Sequence, residues 1–124
     1  MPKVLIVEDS PTQALRTRIV LESQGFEVAI VTDSRQAIDM AKAESPDVVL
    51  SDVRMPGLDG FQLTETIRAD PAVGGTAIVL YSATVNEDED KALALELGAQ
   101  DYIEKGLAPD ALAGALNSAI SAVG

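Results

Sequence analysis

Residues 48–60 read VVLSDVRMPGLDG. Three large aliphatic residues, Val48 to Leu50, give way to the ionisable Asp52, and Met55-Pro56 and Asp59-Gly60 follow. A short continuous apolar run bounded by turn residues is the pattern of a strand buried on both faces. Asp59-Gly60 is turn and helix-start chemistry, so a helix is predicted over about 60–69. Met55-Pro56 shapes the loop between strand and helix. The stretch is therefore a strand–loop–helix unit with a carboxylate where the buried strand ends. Such a carboxylate either caps the next turn or does chemistry.

The same unit recurs along the chain. Val4 to Val7 is a first strand, after which Ser10-Pro11 supplies an N-cap and a proline at the first helical position. The following helix, over about 11–24, is expected to place Leu15 and Ile19 on one face and to end at Gly25. Val28 to Val31 is a second strand, and Ser34 is expected to cap a helix carrying Ala37, Ile38 and Ala41 that stops before Pro46. Ala77 to Leu80 forms a fourth strand. Asn86 then caps a helix whose first turn, Glu87-Asp88-Glu89-Asp90, has the charge favoured by the helix dipole. Gly98 ends that helix, Tyr102-Ile103 is a short fifth strand, and Pro109 opens a last helix running to about 122. Five such units, with no linker or repeat between them, predict one α/β domain over 1–124. Its expected form is an open doubly wound parallel sheet with helices on both faces, since a barrel needs about eight units. In such sheets the functional crevice lies beyond the carboxyl ends of the strands.

Composition narrows the chemistry. Apolar residues make up 47% of the 124 and no run reaches the length of a membrane span, the composition of a soluble globular chain. The strand pattern begins at once, leaving no room for a signal peptide in MPKVLIVED. With no cysteine and no histidine, disulfides, thiolate nucleophiles, imidazole bases and ordinary zinc sites are excluded. A formal charge of −11 argues against direct binding of nucleic acid. Carboxylates dominate, and the natural inorganic partner is a hard cation such as Mg²⁺.

The predicted strand ends gather these carboxylates. Strand 1 ends in Glu8-Asp9, strand 3 in Asp52, strand 4 in Ser82, and strand 5 leads to Lys105. If strands 1 and 3 are neighbours, three acids converge on one crevice, and their repulsion calls for raised pKa values or a bound cation.

Glu8-Asp9, Asp52-x-x-Met55-Pro56-x-x-Asp59-Gly60, Ser82-Ala83 and Gly98-Ala99-x-Asp101-Tyr102-x-x-Lys105 occur in order, at strand ends. With them the chain resembles, over essentially its whole length, the receiver domain of two-component response regulators, similar to the single-domain chemotaxis type. The resemblance implies a flavodoxin-like (βα)5 fold with strand order 2-1-3-4-5. It implies that Asp52 accepts a phosphoryl group from a histidine kinase or a phosphotransfer protein. Asp9, Asp52 and the backbone carbonyl of Arg54 would then ligate Mg²⁺, with Glu8 acting through a water. Lys105 and Ser82 would hold phosphoryl oxygens, and Tyr102 would turn inward as Ser82 moves. That coupling would alter the surface of the fourth helix, fifth strand and last helix, where a separate target protein or a second copy would bind. Arg54 and Thr84 occupy positions that tune phosphoryl lifetime in this family. The resemblance also implies a cytoplasmic regulator rather than an enzyme, with only self-directed phosphoryl transfer and slow autodephosphorylation. Several of these residues also have plainer readings: Asp9, or its neighbour Ser10, as a helix cap, Ser82 as a strand-end hydroxyl and Tyr102 as a core aromatic.

The sequence departs from the family at Lys105-Gly106, where proline is usual. A non-proline bond strongly favours trans, so the loop after strand 5 is expected to take a different path. The last helix is also unusual, with Leu112, Ala115, Leu116, Ala119, Ile120 and Val123 expected in its core stripe. Its other face, Ala113, Gly114, Asn117, Ser118 and Ser121, carries no charge and would suit a closely docked partner. In the fourth helix Leu93 and Leu97 share a stripe while Leu95 points elsewhere. Two other readings stand beside the phospho-acceptor: a phosphorylation-independent interaction domain of the same fold, and an aspartyl phosphatase. The second requires an acid two residues after the nucleophile, where this chain has Arg54.

Overall fold

A computed structural model describes residues 1–83 and 88–123. Strands β1 (Lys3–Val7), β2 (Glu27–Val31), β3 (Val48–Asp52), β4 (Ala77–Ser82) and β5 (Asp101–Glu104) form one parallel sheet in the order β2-β1-β3-β4-β5. Five α-helices connect or follow the strands: α1 (Pro11–Ser23), α2 (Ala37–Glu44), α3 (Gly60–Ala69), α4 (Asp88–Leu97) and α5 (Pro109–Val123). The chain reverses direction across the sheet between β1 and β3, which puts the crevice of an open α/β sheet at the ends of those two strands.

Alternation along the strands builds two cores. Leu5, Val7, Val49, Ile78, Leu80 and Tyr102 face α2, α3 and α4, while Val4, Ile6, Val48, Leu50, Val79 and Tyr81 face α1 and α5. β3 and β4 are buried along their whole length, as their unbroken apolar runs require.

The helix faces depart from the periodicity in three places. In α1 the buried residues are Ala14 and Leu21, whereas Leu15 and Ile19 are 54% and 60% exposed. The apolar residues of this helix are spread around its circumference, and the small Ala14 lets the backbone approach the sheet. In α4 only Ala94 is buried, with Leu93 and Leu95 both exposed. In α5 Ala113 is buried beside Leu116 and Ala119, not on the outer face, and Val123 is exposed. Ala113 faces the sheet for the same reason as Ala14: a small side chain allows close contact.

Caps follow the sequence at two sites and not at a third. Ser10 caps α1 by accepting from the Gln13 amide, and Asp59 with Gln62 forms a reciprocal capping box on α3. Ser34 does not cap. Asp33 caps a short 3₁₀ turn (Ser34–Gln36) ahead of α2, while the buried Ser34 hydroxyl donates to the Pro56 carbonyl and accepts from the Leu58 amide. It thereby fastens the Met55–Leu58 loop to the neighbouring unit. Asn86, Glu87 and Thr84 lie outside the described residues.

Arg68, near the end of α3, makes the densest polar junction away from the strand ends. Its guanidinium donates twice to the Gly98 carbonyl (3.0 and 2.8 Å), to the Gly74 and Thr76 carbonyls (2.9 and 2.6 Å), and to Gln100 Oε1 (3.0 Å). Carbonyl oxygens, rather than a carboxylate, satisfy this partly buried cation, and its burial lowers its pKa. The clamp joins the last turn of α3 to the carboxyl end of α4 and the start of β5.

Candidate functional site

β1 delivers Glu8 and Asp9 to the crevice and β3 delivers Asp52. Gly60, the first residue of α3, packs so tightly there that an added Cβ would lie 2.7 Å from the Asp52 carbonyl. Its amide donates to the Val53 carbonyl at 2.8 Å. The strand end carrying Asp52 is thus braced directly by the helix that follows it, which explains the glycine of the Asp59-Gly60 pair.

Lys105 closes the constellation. Its Nζ lies 2.8 Å from Asp52 Oδ2, 3.0 Å from Glu8 Oε1 and 2.9 Å from Gln13 Oε1, so its three donors are all used. The other Asp52 oxygen accepts from the Arg54 amide at 3.2 Å. Glu8 is almost wholly buried, and its Oε1 also accepts from the Tyr81 hydroxyl at 3.3 Å. The Tyr81 ring stands 4.9 Å below the Lys105 ammonium, within cation–π range.

The electrostatics follow from burial and crowding. Burial, reinforced by the charge of Asp52, holds the Glu8 carboxyl above its ordinary pKa even though Lys105 opposes the shift. Burial alone would lower the Lys105 pKa, but its hydrogen bonds to Asp52 and Glu8 outweigh that and leave it raised. Burial also raises the Tyr81 phenol, which stays protonated as a donor to Glu8.

Glu8, Asp9 and Asp52 each offer a carboxylate oxygen within 4.8 Å of the other two. Three hard oxygen donors at that spacing, with Asp9 exposed and able to leave bound water in place, suit a small divalent cation.

The remaining sequence-predicted residues surround this centre. Ser82 ends β4 and is buried, and its carbonyl accepts from the Lys105 amide at 2.8 Å. Tyr102 lies beside Leu80 in the adjoining strand and is already turned into the core. The Arg54 side chain is exposed and reaches Asp90 of α4 at 3.7 Å. Sequence reasoning missed Gln13 and Tyr81. For Tyr81 a signal existed, because a buried tyrosine needs a partner for its hydroxyl and Glu8 follows β1, the next strand but one in the sheet. Gln13 had none, since a glutamine in a first helical turn is ordinarily a surface residue.

The loop after β5 also differs as the sequence implied. No cis peptide occurs among the described residues, and Gly106 has φ +88°, a value that proline cannot adopt.

Parallel order β2-β1-β3-β4-β5 with an acid triad and a lysine at the strand ends defines a phospho-acceptor class of α/β domain. The chain belongs to the response regulator receiver domain family, whose sequence profile matches residues 4–117. It is 32% identical over 121 residues to protein PilH of Pseudomonas aeruginosa, covering 98% of this chain and 99% of that one. It is 36% identical over 110 residues to the DNA-binding response regulator MtrA of Mycolicibacterium smegmatis, covering 89% of this chain but 46% of MtrA. Among solved structures, the chemotaxis protein CheY4 of Vibrio cholerae superposes with a TM-score of 0.88 at 29% identity, covering 96% of this chain and 98% of that one. A putative response regulator from Chloroflexus aurantiacus gives 0.89 at 28% identity, with coverage of 98% and 99%. No described helix is long and apolar enough to cross a membrane.

Proposed function

We propose that Asp52 is the phospho-acceptor and that the chain receives its phosphoryl group from a histidine kinase or a phosphotransfer protein. The observation that carries this reading is the placement of Lys105 Nζ on both Asp52 and Glu8 at adjoining strand ends. An Asp52 oxygen attacks phosphorus as the donor's N–P bond breaks, and the imidazole nitrogen leaves with the bonding pair. Lys105 follows the transferred group as a mobile point charge on a phosphoryl oxygen, and Ser82 donates to another. Asp9, Asp52 and the Arg54 carbonyl, with Glu8 through a water, would hold Mg²⁺. Bound there, the ion offsets repulsion between the attacking carboxylate and the phosphoryl oxygens.

Transfer of Ser82 to the phosphoryl group leaves room beside Tyr102, whose position is tied through β5 to the outer surfaces of α4 and α5. That surface is the proposed site for a downstream protein or a second copy. Arg54 and Thr84 set how readily water reaches the phosphoryl group and hence the rate of slow autodephosphorylation. The proposed setting is cytoplasmic, with no direct contact to nucleic acid.

Intact mass after incubation with a small phosphodonor, with and without Mg²⁺, tests this. A Mg²⁺-dependent gain of one phosphoryl group, absent in Asp52→Ala, is the expected result. One observation favours a second reading, a phosphorylation-independent interaction module: the unusual Gly106 turn beside Lys105. No gain from a small donor or from kinase would favour it.

A further inference from the structure

A half-open cavity of about 290 Å³ lies beside Lys105, between α1 and the turn that joins β5 to α5. Val20 stands on the α1 side, Leu107 and Leu112 on the other, and the Tyr81 ring contributes to the lining between them. The turn reaches this position through Gly106 at φ +88°, and an added Cβ there would meet no atom within 4 Å. The departure from the usual proline therefore accompanies open space, not tighter packing.

The polar groups of the cavity point to a charge. The Lys105 ammonium is committed to Glu8, Asp52 and Gln13, leaving only its stem to the cavity. Arg16 also lines the cavity. Among the described residues, Arg16 and Lys91 are the lysines and arginines that carry neither an ion pair nor a hydrogen bond. In a chain of net charge −11, an arginine left uncommitted beside an apolar cavity is the group an anion would meet. Glu104 lines the cavity too and disfavours a second negative charge. The volume is about twice the ~150 Å³ that admits a benzene ring and sits at the lower edge of ligand pockets, about 300 Å³.

We propose that this cavity binds a small aromatic monocarboxylate of about two fused rings. The rings lie against Val20, Leu107, Leu112 and Tyr81, and the carboxylate meets Arg16. The site is separate from the phospho-acceptor but shares Tyr81 and the Lys105 stem with it, so an occupant would bear on the lysine that holds Asp52.

Titration of the ¹⁵N-labelled chain with 2-naphthoate, followed by amide chemical shifts, tests the proposal. Saturable shifts centred on Val20, Gly106 and Leu107 are expected. Arg16→Gln and Val20→Phe should each weaken binding at least tenfold. The uncharged 2-naphthalenemethanol and the dianionic 2-naphthyl phosphate should bind at least tenfold more weakly than the carboxylate. An unchanged amide spectrum for Arg16→Gln outside the cavity establishes that this exposed change leaves the fold intact. Absence of saturation at millimolar naphthoate, shifts scattered over the surface, undiminished binding by both variants, or equal binding of the alcohol would each overturn the proposal.

Discussion

Lys105 and Asp52, 53 residues apart in sequence, meet at 2.8 Å through Nζ and Oδ2. The lysine belongs to the segment after β5 and the aspartate to the end of β3, so β4 separates their strands in the sheet. Replacing the lysine with methionine keeps most of the apolar stem over Tyr81 and removes the charge. Phosphoryl acceptance by Lys105→Met from a small donor is expected to slow by about 10²-fold, the scale of losing one preorganised electrostatic contact. A time course of intact mass measures it, and a rate equal to the parent's would remove Lys105 from the chemistry.

Glu8 makes metal-free stability depend on pH with a definite sign. Its folded pKa is raised above the ordinary 4.5, so between that value and its folded pKa the native state holds a proton that the unfolded chain has released. Its contribution is therefore fully present below 4.5 and is lost as pH rises through the folded value. Urea midpoints of the parent should fall relative to Glu8→Gln across this window and then run parallel. A parent-minus-variant difference that rises with pH would contradict the assignment.

Gly106 and Gly114 should respond oppositely to alanine. In both cases the added Cβ meets nothing within 4 Å, which isolates the backbone contribution. Gly106 is held at φ +88°, and Gly106→Ala is expected to destabilise by about 1–2 kcal/mol. Gly114 lies inside α5 on an exposed position, and Gly114→Ala should stabilise by about 1 kcal/mol. Denaturant midpoints at constant slope read both.

Leu15 and Ile19 form an exposed pair one turn apart on α1, the helix whose Gln13 touches Lys105. On the proposed function, a protein donor that brings a phosphohistidine to Asp52 must approach beside this helix. Leu15→Glu with Ile19→Glu should leave stability within about 0.5 kcal/mol. It should leave labelling by a small donor unchanged and slow transfer from a cognate kinase. Equal loss with both donors would show a damaged fold instead of a lost docking face.

The fold was legible because five buried parallel strands give uninterrupted aliphatic runs, and Gly, Pro and Ser-Pro mark the exits. Asp52, Glu8, Asp9 and Lys105 were legible as a group because each stands at or just beyond a strand end, and the family resemblance supplied the strand order that brings those ends together. Burial on helix faces was less so. Ala14, Ala94 and Ala113 are the contact residues where a helix approaches the sheet closely, and hydrophobicity alone ranks leucine above alanine. Ser34 misled because its sequence neighbours resemble a helix start, whereas its hydroxyl serves a loop 22 residues away. Gln13 was invisible because its partner lies 92 residues distant and no local pattern records it.

The Arg68 clamp gives α4 a mechanical asymmetry. The carboxyl end of this helix is tied by two hydrogen bonds to the Gly98 carbonyl, while along its body only Ala94 is buried. The other end is joined to the acidic crevice by the long Arg54–Asp90 contact. A ten-residue helix is about 15 Å long, so a rotation of about 15° about Gly98 would sweep its first turn through about 4 Å. The helix is thus held at the end far from the phospho-acceptor, and its less tightly held end is the one that meets Arg54, two residues from Asp52.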